Sequence, residues 1–226
     1  MNWMRKLIKI LLAKFGYQIQ RLIALPLWDY DDYFNDLRKQ IIGHTLVDKP
    51  QCYILYQYAK HAAGLPGDVA EVGVYKGGTA RLLAKVFEST GKTIHLFDTF
   101  SGMPISDPSK DVHKEGDFSD TSLEVVKTYL HDCENVCFYQ GLFPATSKPV
   151  VKSTFCLIHI DVDIYQSAMD CCKFFYPRME KGGIMIFDDY GILDCPGIKT
   201  AVDEFFSDKL ENPCYLPTGH CIVIRI

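Results

Sequence analysis

The chain has 226 residues, enough for one domain with a substantial core, and its 48% apolar and 23% charged residues are ordinary for a globular protein. A formal net charge of -4 offers no polyanion-binding surface, which argues against nucleic acid as a partner. The nine cysteines include the neighbours Cys171 and Cys172 but no Cys-x-x-Cys spacing; they read as reduced thiols of a cytosolic protein, each a small buried hydrophobe.

The first 22 residues, "MNWMRKLIKILLAKFGYQIQRL", place Leu7, Ile8, Leu11, Leu12 and Phe15 on one helical face, with Arg5, Lys6, Lys9 and Lys14 mostly elsewhere. Lys9 and Lys14 interrupt the apolar run, no small-residue cleavage site follows, and the stretch is too short to span a bilayer. The plain reading is a helix packed on its own domain or on a second subunit, in a homo-oligomer. The sharper one is a peripheral contact of residues 1–22 with an anionic membrane, at its inner face in an otherwise cytoplasmic protein. Residues 1–66 then form an N-terminal helical segment and lid, and 67–226 the main domain.

From residue 67 the pattern alternates between strand and helix. "DVAEVGV" predicts a strand, and "GTARLLAKVFESTG" a helix with Leu82, Leu83, Val86 and Phe87 on one face and Gly91 closing it. "TIHLFD" is a second strand, followed by the long polar loop "SGMPISDPSKDVHKEGDFSD". "TSLEVVKTYL" opens with Thr121 and Glu124 at capping-box spacing. "NVCFYQG" and "FCLIHIDVD" are strands, and "QSAMDCCKFFYPRM" a helix that stops before Gly182-Gly183. "GIMIFDD" is a strand, "PGIKTAVDEFF" a helix with Pro196 in its first turn, and "CYLPTGHCIVIRI" a hairpin turning near Gly219. The alternation predicts an α/β fold with a mostly parallel sheet covered on both faces, whose ligands bind beyond the carboxyl ends of the strands. Asp98, Asp161, Asp163, Asp188 and Asp189 all sit at such ends.

"EVGVYKGGTA" leaves a strand and enters a helix, where glycine lets the backbone approach a ligand. In a dinucleotide fingerprint a glycine would stand where Glu71 is; a carboxylate there repels a pyrophosphate and suits a cationic ligand, such as a methionine amino group beside a sulfonium. Asp98 ends the next strand, where an acid takes ribose hydroxyls in nucleoside-binding folds. Residues two apart in a strand face the same way, so Asp161 and Asp163 can share a site; Asp188 and Asp189 do so only if the chain turns out of its strand, as Tyr190-Gly191 allows. Such a carboxylate cluster needs protons or a cation, and oxygen-only donors favour Mg²⁺ over zinc. His159 reads as a satisfied core histidine, His113 and Lys114 as residues of an exposed loop.

With these motifs assembled, the chain resembles the macrocin O-methyltransferase family across roughly Thr45 to Phe206, through "HTLVDKPQ", "GDVAEVGVYKGGTA", "FDTFSGMP", "GDFSDTSLEVV", "HIDVDIYQS", "KGGIMIFDDYG" and "GIKTAVDEFF". The resemblance implies a Rossmann-like class I methyltransferase fold, with a seven-stranded, mostly parallel sheet, and an enzyme dependent on S-adenosylmethionine and Mg²⁺. The acceptor it implies is a small molecule with vicinal hydroxyls, a sugar or glycosylated metabolite. It puts Asp161, Asp188 and Asp189 on the metal and makes Asp163 the general base. It sets the cofactor against Thr45, Glu71, the Gly73, Tyr75, Gly77, Gly78 and Thr79 loop, Asp98, Ser101, Ser119 and the Gln140-Gly141 turn. The chain departs from the pattern in its basic amphipathic N-terminal segment and in the loop from Ser106 to Gly116, whose own composition keeps substrate-facing residues from being carried over. A catechol acceptor, which Tyr165 and Tyr190 could line, and a non-catalytic metabolite-binding protein on the same fold stay open at this stage; Glu71 disfavours a nicotinamide dehydrogenase.

Overall fold

The computed structural model describes residues 2–14 and 25–226. Helix α1 (Asn2–Ala13) precedes α2 (Asp32–Ile41) and α3 (Lys49–Ala62). The alternating part follows as β1 (Asp68–Val72), α4 (Gly78–Val86), β2 (Ile94–Asp98), α5 (Leu123–Tyr129), β3 (Val136–Gln140), β4 (Phe155–Ile160), α6 (Tyr165–Phe175), β5 (Met179–Phe187), α7 (Pro196–Phe206), β6 (Cys214–Tyr215) and β7 (Cys221–Ile224). The strands form one seven-stranded sheet in the order β3-β2-β1-β4-β5-β7-β6. The first five are parallel; β7 runs antiparallel to β5 and pairs with β6 as the terminal hairpin.

Side-chain alternation assigns each strand residue to a face. Val69, Leu96, Leu157 and Ile184 pack under α2, α3 and α4, against Phe34, Leu55 and Leu83. Ala70, Phe97, Ile158 and Met185 pack under α6 and α7, against Cys172, Phe175, Val202 and Phe206. Both faces are covered, so the strands read as continuous apolar runs. The chain moves outward from β1 to β3, then returns to place β4 beside β1 on its other side. The crevice at that reversal is where an open α/β sheet binds its ligand.

Three local expectations are corrected. Helix α5 is capped by Ser122, whose Oγ accepts from Val125 N at 3.3 Å; Thr121 is diverted, its hydroxyl donating to Tyr75 O at 2.7 Å. Gly182 and Gly183 lie inside β5, not beyond a helix, because α6 already ends at Phe175 before a 3-10 turn containing Pro177. The β4–β5 register shifts there, and a Cβ on Gly183 would sit 2.8 Å from Glu180 O. Helix α1 forms, but its apolar side chains do not pack on the domain: Trp3 is 73% and Leu11 59% exposed, and Leu7 and Ile8 are exposed too. Phe15, the last residue assigned to that face, lies outside the described residues.

Candidate active site

A cavity of about 440 Å³ opens over the carboxyl ends of β1, β2 and β4. Of the residues set against a cofactor, Thr45, Gly73, Tyr75, Thr79, Asp98 and Gly141 line it, together with all four aspartates, Asp161, Asp163, Asp188 and Asp189. Ser101, Ser119 and Gln140 are exposed and lie outside its lining, as do Gly77 and Gly78.

The loop after β1 is shaped by contact with β4. Gly73 has φ +86°, and a Cβ there would lie 1.6 Å from Asp161 O, so glycine is what lets the two strand ends converge. Asp98 reaches across from β2 and accepts from Val74 N at 2.7 Å and Tyr75 N at 2.9 Å through Oδ2, and from Phe100 N at 2.6 Å through Oδ1. Its carboxylate braces the loop. Gly78 donates its N–H to His44 O at 2.9 Å, where a Cβ would come within 2.7 Å, so this glycine seats α4 beneath the His44–Thr45 strap.

Glu71, unlike its neighbour Val72, is not part of the cavity lining. It is fully buried, with Oε1 2.9 Å from His159 Nδ1 and Oε2 without a partner. The other imidazole nitrogen of His159 faces Asp188 Oδ1 at 3.6 Å. His159 is therefore more than a satisfied core residue: it stands between an acid under the glycine loop and an acid of the aspartate group. Burial lowers its pKa, but the facing Asp188 carboxylate and the hydrogen-bonded Glu71 outweigh that and raise it to about 9.

The aspartates converge by a different route from strand alternation. β4 ends at Ile160, and Asp163 takes the left-handed region at φ +58°, sparsely used by non-glycine residues. That turn brings Asp163 beside Asp161. β5 ends at Phe187, and the chain then turns out, as the Tyr190-Gly191 pair led one to expect. Ligand oxygens of Asp161, Asp163 and Asp189 all lie within 4.8 Å of one another. Asp188 is turned toward the hairpin: Oδ1 accepts from His220 Nε2 at 2.6 Å and Oδ2 from Gln51 Nε2 at 3.4 Å.

The electrostatics follow the geometry. Burial, then the charges of Asp188, Asp189 and Asp163, push Asp161 well above the usual carboxylate range. Asp189 rises for the same reasons, and its Oδ2 is buried without a partner. Burial raises Asp163, with His113 opposing. Burial also works against ionised Asp188, but the facing His159 imidazole and the hydrogen bond from His220 win and hold its pKa low. His220 and Gln51 were not legible as site residues. A lone histidine in an apolar hairpin and a glutamine in the first turn of α3 carry no spacing that points at Asp188.

The family model described as "Macrocin-O-methyltransferase (TylF)" matches residues 33–216, most of the chain. The chain belongs to the macrocin O-methyltransferase family. Among curated relatives, the mycinamicin III 3''-O-methyltransferase of Micromonospora griseorubida is 29% identical over 182 residues, covering 73% of this chain and 70% of the relative. The 8-demethyl-8-(2,3-dimethoxy-alpha-L-rhamnosyl)-tetracenomycin-C 4'-O-methyltransferase of Streptomyces olivaceus is 30% identical over 171 residues, covering 68% and 65%. The solved O-methyltransferase NovP superposes with a TM-score of 0.71 at 26% identity, covering 80% of this chain and 82% of its own. The fold is that of a class I methyltransferase, and the protein is an enzyme that transfers methyl groups to oxygen.

Proposed function

We propose that this macrocin O-methyltransferase family member uses S-adenosylmethionine and Mg²⁺ to methylate a hydroxyl of a sugar or glycosylated small molecule that carries neighbouring hydroxyls. The carrying observation is the meeting of Asp161, Asp163 and Asp189 within 4.8 Å, beside Asp188, at one end of the cavity. Four crowded carboxylates, two buried and two half-buried, repel one another unless a cation or protons intervene. The donors are oxygens only, and Asp189 Oδ2 has no partner among the described residues, which suits a hard divalent ion. Asp161, Asp188 and Asp189 would hold it. The histidines that keep Asp188 ionised fit that role, because a ligand carboxylate must be deprotonated. A bound Mg²⁺ makes a coordinated hydroxyl more acidic.

S-adenosylmethionine, when bound, supplies a methyl group on an electron-poor sulfonium. Thr45, Gly73, Tyr75, Thr79 and Gly141, which line the cavity, would surround it; Glu71, buried against His159, would act on its ammonium group from beneath the loop, and Gly77 and Gly78 would shape that loop, while Ser101, Ser119 and Gln140 lie outside the lining. Asp98 would offer its remaining lone pairs to the ribose while bracing the loop. Asp163 takes the proton of the acceptor hydroxyl; such a base contributes about 10²- to 10⁴-fold. The cavity would hold donor and acceptor in line for transfer. Residues 1–66 act as the covering segment, since His44 to Asp48 already form one wall, and 67–226 as the catalytic domain.

A sugar is favoured over a catechol for two reasons. One curated relative carries a rhamnosyl group in its substrate's name. The two tyrosines that a catechol pocket could have used are bonded elsewhere, Tyr165 OH to Glu204 and Tyr190 OH to Asp203, and neither lines the cavity. For α1, exposed Trp3, Met4, Leu7 and Leu11 together with Lys6 and Lys9 suit the headgroup region of an anionic membrane better than water.

The deciding experiment is Asp161→Ala. It should abolish Mg²⁺-dependent turnover of a glycoside panel while calorimetry shows S-adenosylmethionine affinity within about threefold of wild type. Full activity of this variant in a chelator would end the metal reading.

A further inference from the structure

Asp163 has neighbours of a second chemical kind. Cys195 Sγ, just ahead of α7, lies 3.6 Å from Asp163 Oδ1, and His113 Nε2, on the loop after β2, lies 4.0 Å from the same oxygen. The three ligand atoms are all within 4.8 Å of one another. His113 also has its ring fixed from behind: Nδ1 faces Asp117 Oδ2 at 3.4 Å, which leaves Nε2 directed at Asp163. A carboxylate behind a histidine, with the far nitrogen free, is how proteins orient an imidazole toward a metal.

We infer that His113, Asp163 and Cys195 form a second ion site, for a thiophilic divalent cation of the zinc class, adjoining the all-oxygen group of Asp161 and Asp189. In a tetrahedral shell with Zn–S of about 2.3 Å and Zn–O and Zn–N of about 2.0–2.1 Å, sulfur and oxygen ligands stand about 3.6 Å apart, and nitrogen and oxygen about 3.3 Å. Asp163 and Cys195 are already at that separation. His113 Nε2 stands about 0.7 Å beyond the nitrogen–oxygen separation such a shell needs. Cysteine, histidine and carboxylate together select zinc over Mg²⁺, which prefers six oxygens. On binding, the Sγ–H bond breaks, sulfur gives its electron pair to the ion, and the proton leaves to solvent; no electron is transferred. The fourth position stays open to a water or to the acceptor. Because Asp163 Oδ1 would be engaged, a filled site removes the proton acceptor of methyl transfer; that consequence, unlike the site, rests on the proposed role of Asp163.

The test uses the full chain with the exposed thiols removed by Cys137→Ser and Cys214→Ser, in a large excess of Mg²⁺, and Co²⁺ as the probe. One equivalent of Co²⁺ should produce a thiolate-to-cobalt charge-transfer band and tetrahedral ligand-field bands, both removed by one equivalent of Zn²⁺. Cys195→Ser should abolish the charge-transfer band. Asp117→Asn, at a partly exposed loop position, should keep it and weaken Zn²⁺ retention about 10- to 100-fold. Absence of the band in the parent protein, or its persistence in Cys195→Ser, overturns the site; so does unchanged Zn²⁺ affinity in Asp117→Asn. A site that fills while turnover is unaffected leaves the ion site standing and instead removes Asp163 as the base.

Discussion

Gly73 carries a constraint that no other residue type meets. Its φ of +86° is open to a few residues, but the 1.6 Å separation between a built Cβ and Asp161 O is open to none. Gly73→Ala should cost more than about 3 kcal/mol in denaturant unfolding, or displace the β4 end and abolish activity in protein that still folds. A wild-type melt with wild-type turnover would show that the strand ends need not touch. His220 is the other decisive single residue. His220→Asn should weaken divalent-ion binding about 10- to 100-fold, read as Mn²⁺ affinity by paramagnetic resonance, because Asp188 loses the donor that fixes it. The sequence makes the aspartates conspicuous, since each follows an apolar strand where a charge has no structural use. It leaves His220 obscure, because only the fold brings that turn to the end of β5.

Elements were legible where one periodicity acted alone, and less so where tertiary contacts competed. Every strand of the alternating region was anticipated because a doubly covered sheet writes itself as apolar runs. The cap of α5 was displaced by one residue because the Tyr75 carbonyl competes for the Thr121 hydroxyl. The extent of β5 was missed because a glycine pair looks like a stop and is here a bulge. The long loop after β2 looked free and is pinned. Asp111, nearly buried, accepts from Tyr165 N at 2.8 Å at the start of α6 and from Asp107 N at 3.2 Å within the loop. Met103 N and Asp117 O, 2.8 Å apart, close the loop on itself. Asp111→Ala leaves these amides unpaired, at a cost of about 1–3 kcal/mol. It should lower Tm by roughly 2–8 °C and speed amide exchange across 103–117, with β1 and β4 unaffected. Unchanged exchange there would show that the loop holds without its anchor.

At the scale of the molecule, the carboxyl-terminal edge is closed by an ionic lock. Glu211 accepts from Tyr176 OH at 2.7 Å and pairs with Arg225, and it also faces Ile226 N at 3.3 Å. Burial alone would raise its pKa, but the hydrogen bonds from Tyr176 and Arg225 bring it down to about 2. A carboxylate held low contributes stability at every pH above its unfolded value, and loses it as pH falls from the unfolded value through about 2. Glu211→Gln should therefore cost roughly 1–3 kcal/mol at neutral pH and flatten the acid limb of the stability curve below about pH 4. An acid limb identical to wild type would assign that stability elsewhere. The opposite end behaves differently. α1 carries cationic and apolar side chains on a protein of net charge -4. Removing residues 1–22 should abolish co-flotation with phosphatidylserine vesicles and leave unfolding of the domain unchanged; retained flotation, or loss of a dimer instead, would reject the membrane reading.

His159 sits between Glu71 and Asp188, so one ring links an acid under the glycine loop to an acid that lines the cavity. Whatever settles against one acid alters the hydrogen bonding available to the other, and thermodynamic reciprocity returns the effect by the same factor. Under the proposed function, cofactor and ion binding would then form a single linked equilibrium, and an affinity measured for either would have meaning only with the occupancy of the other stated.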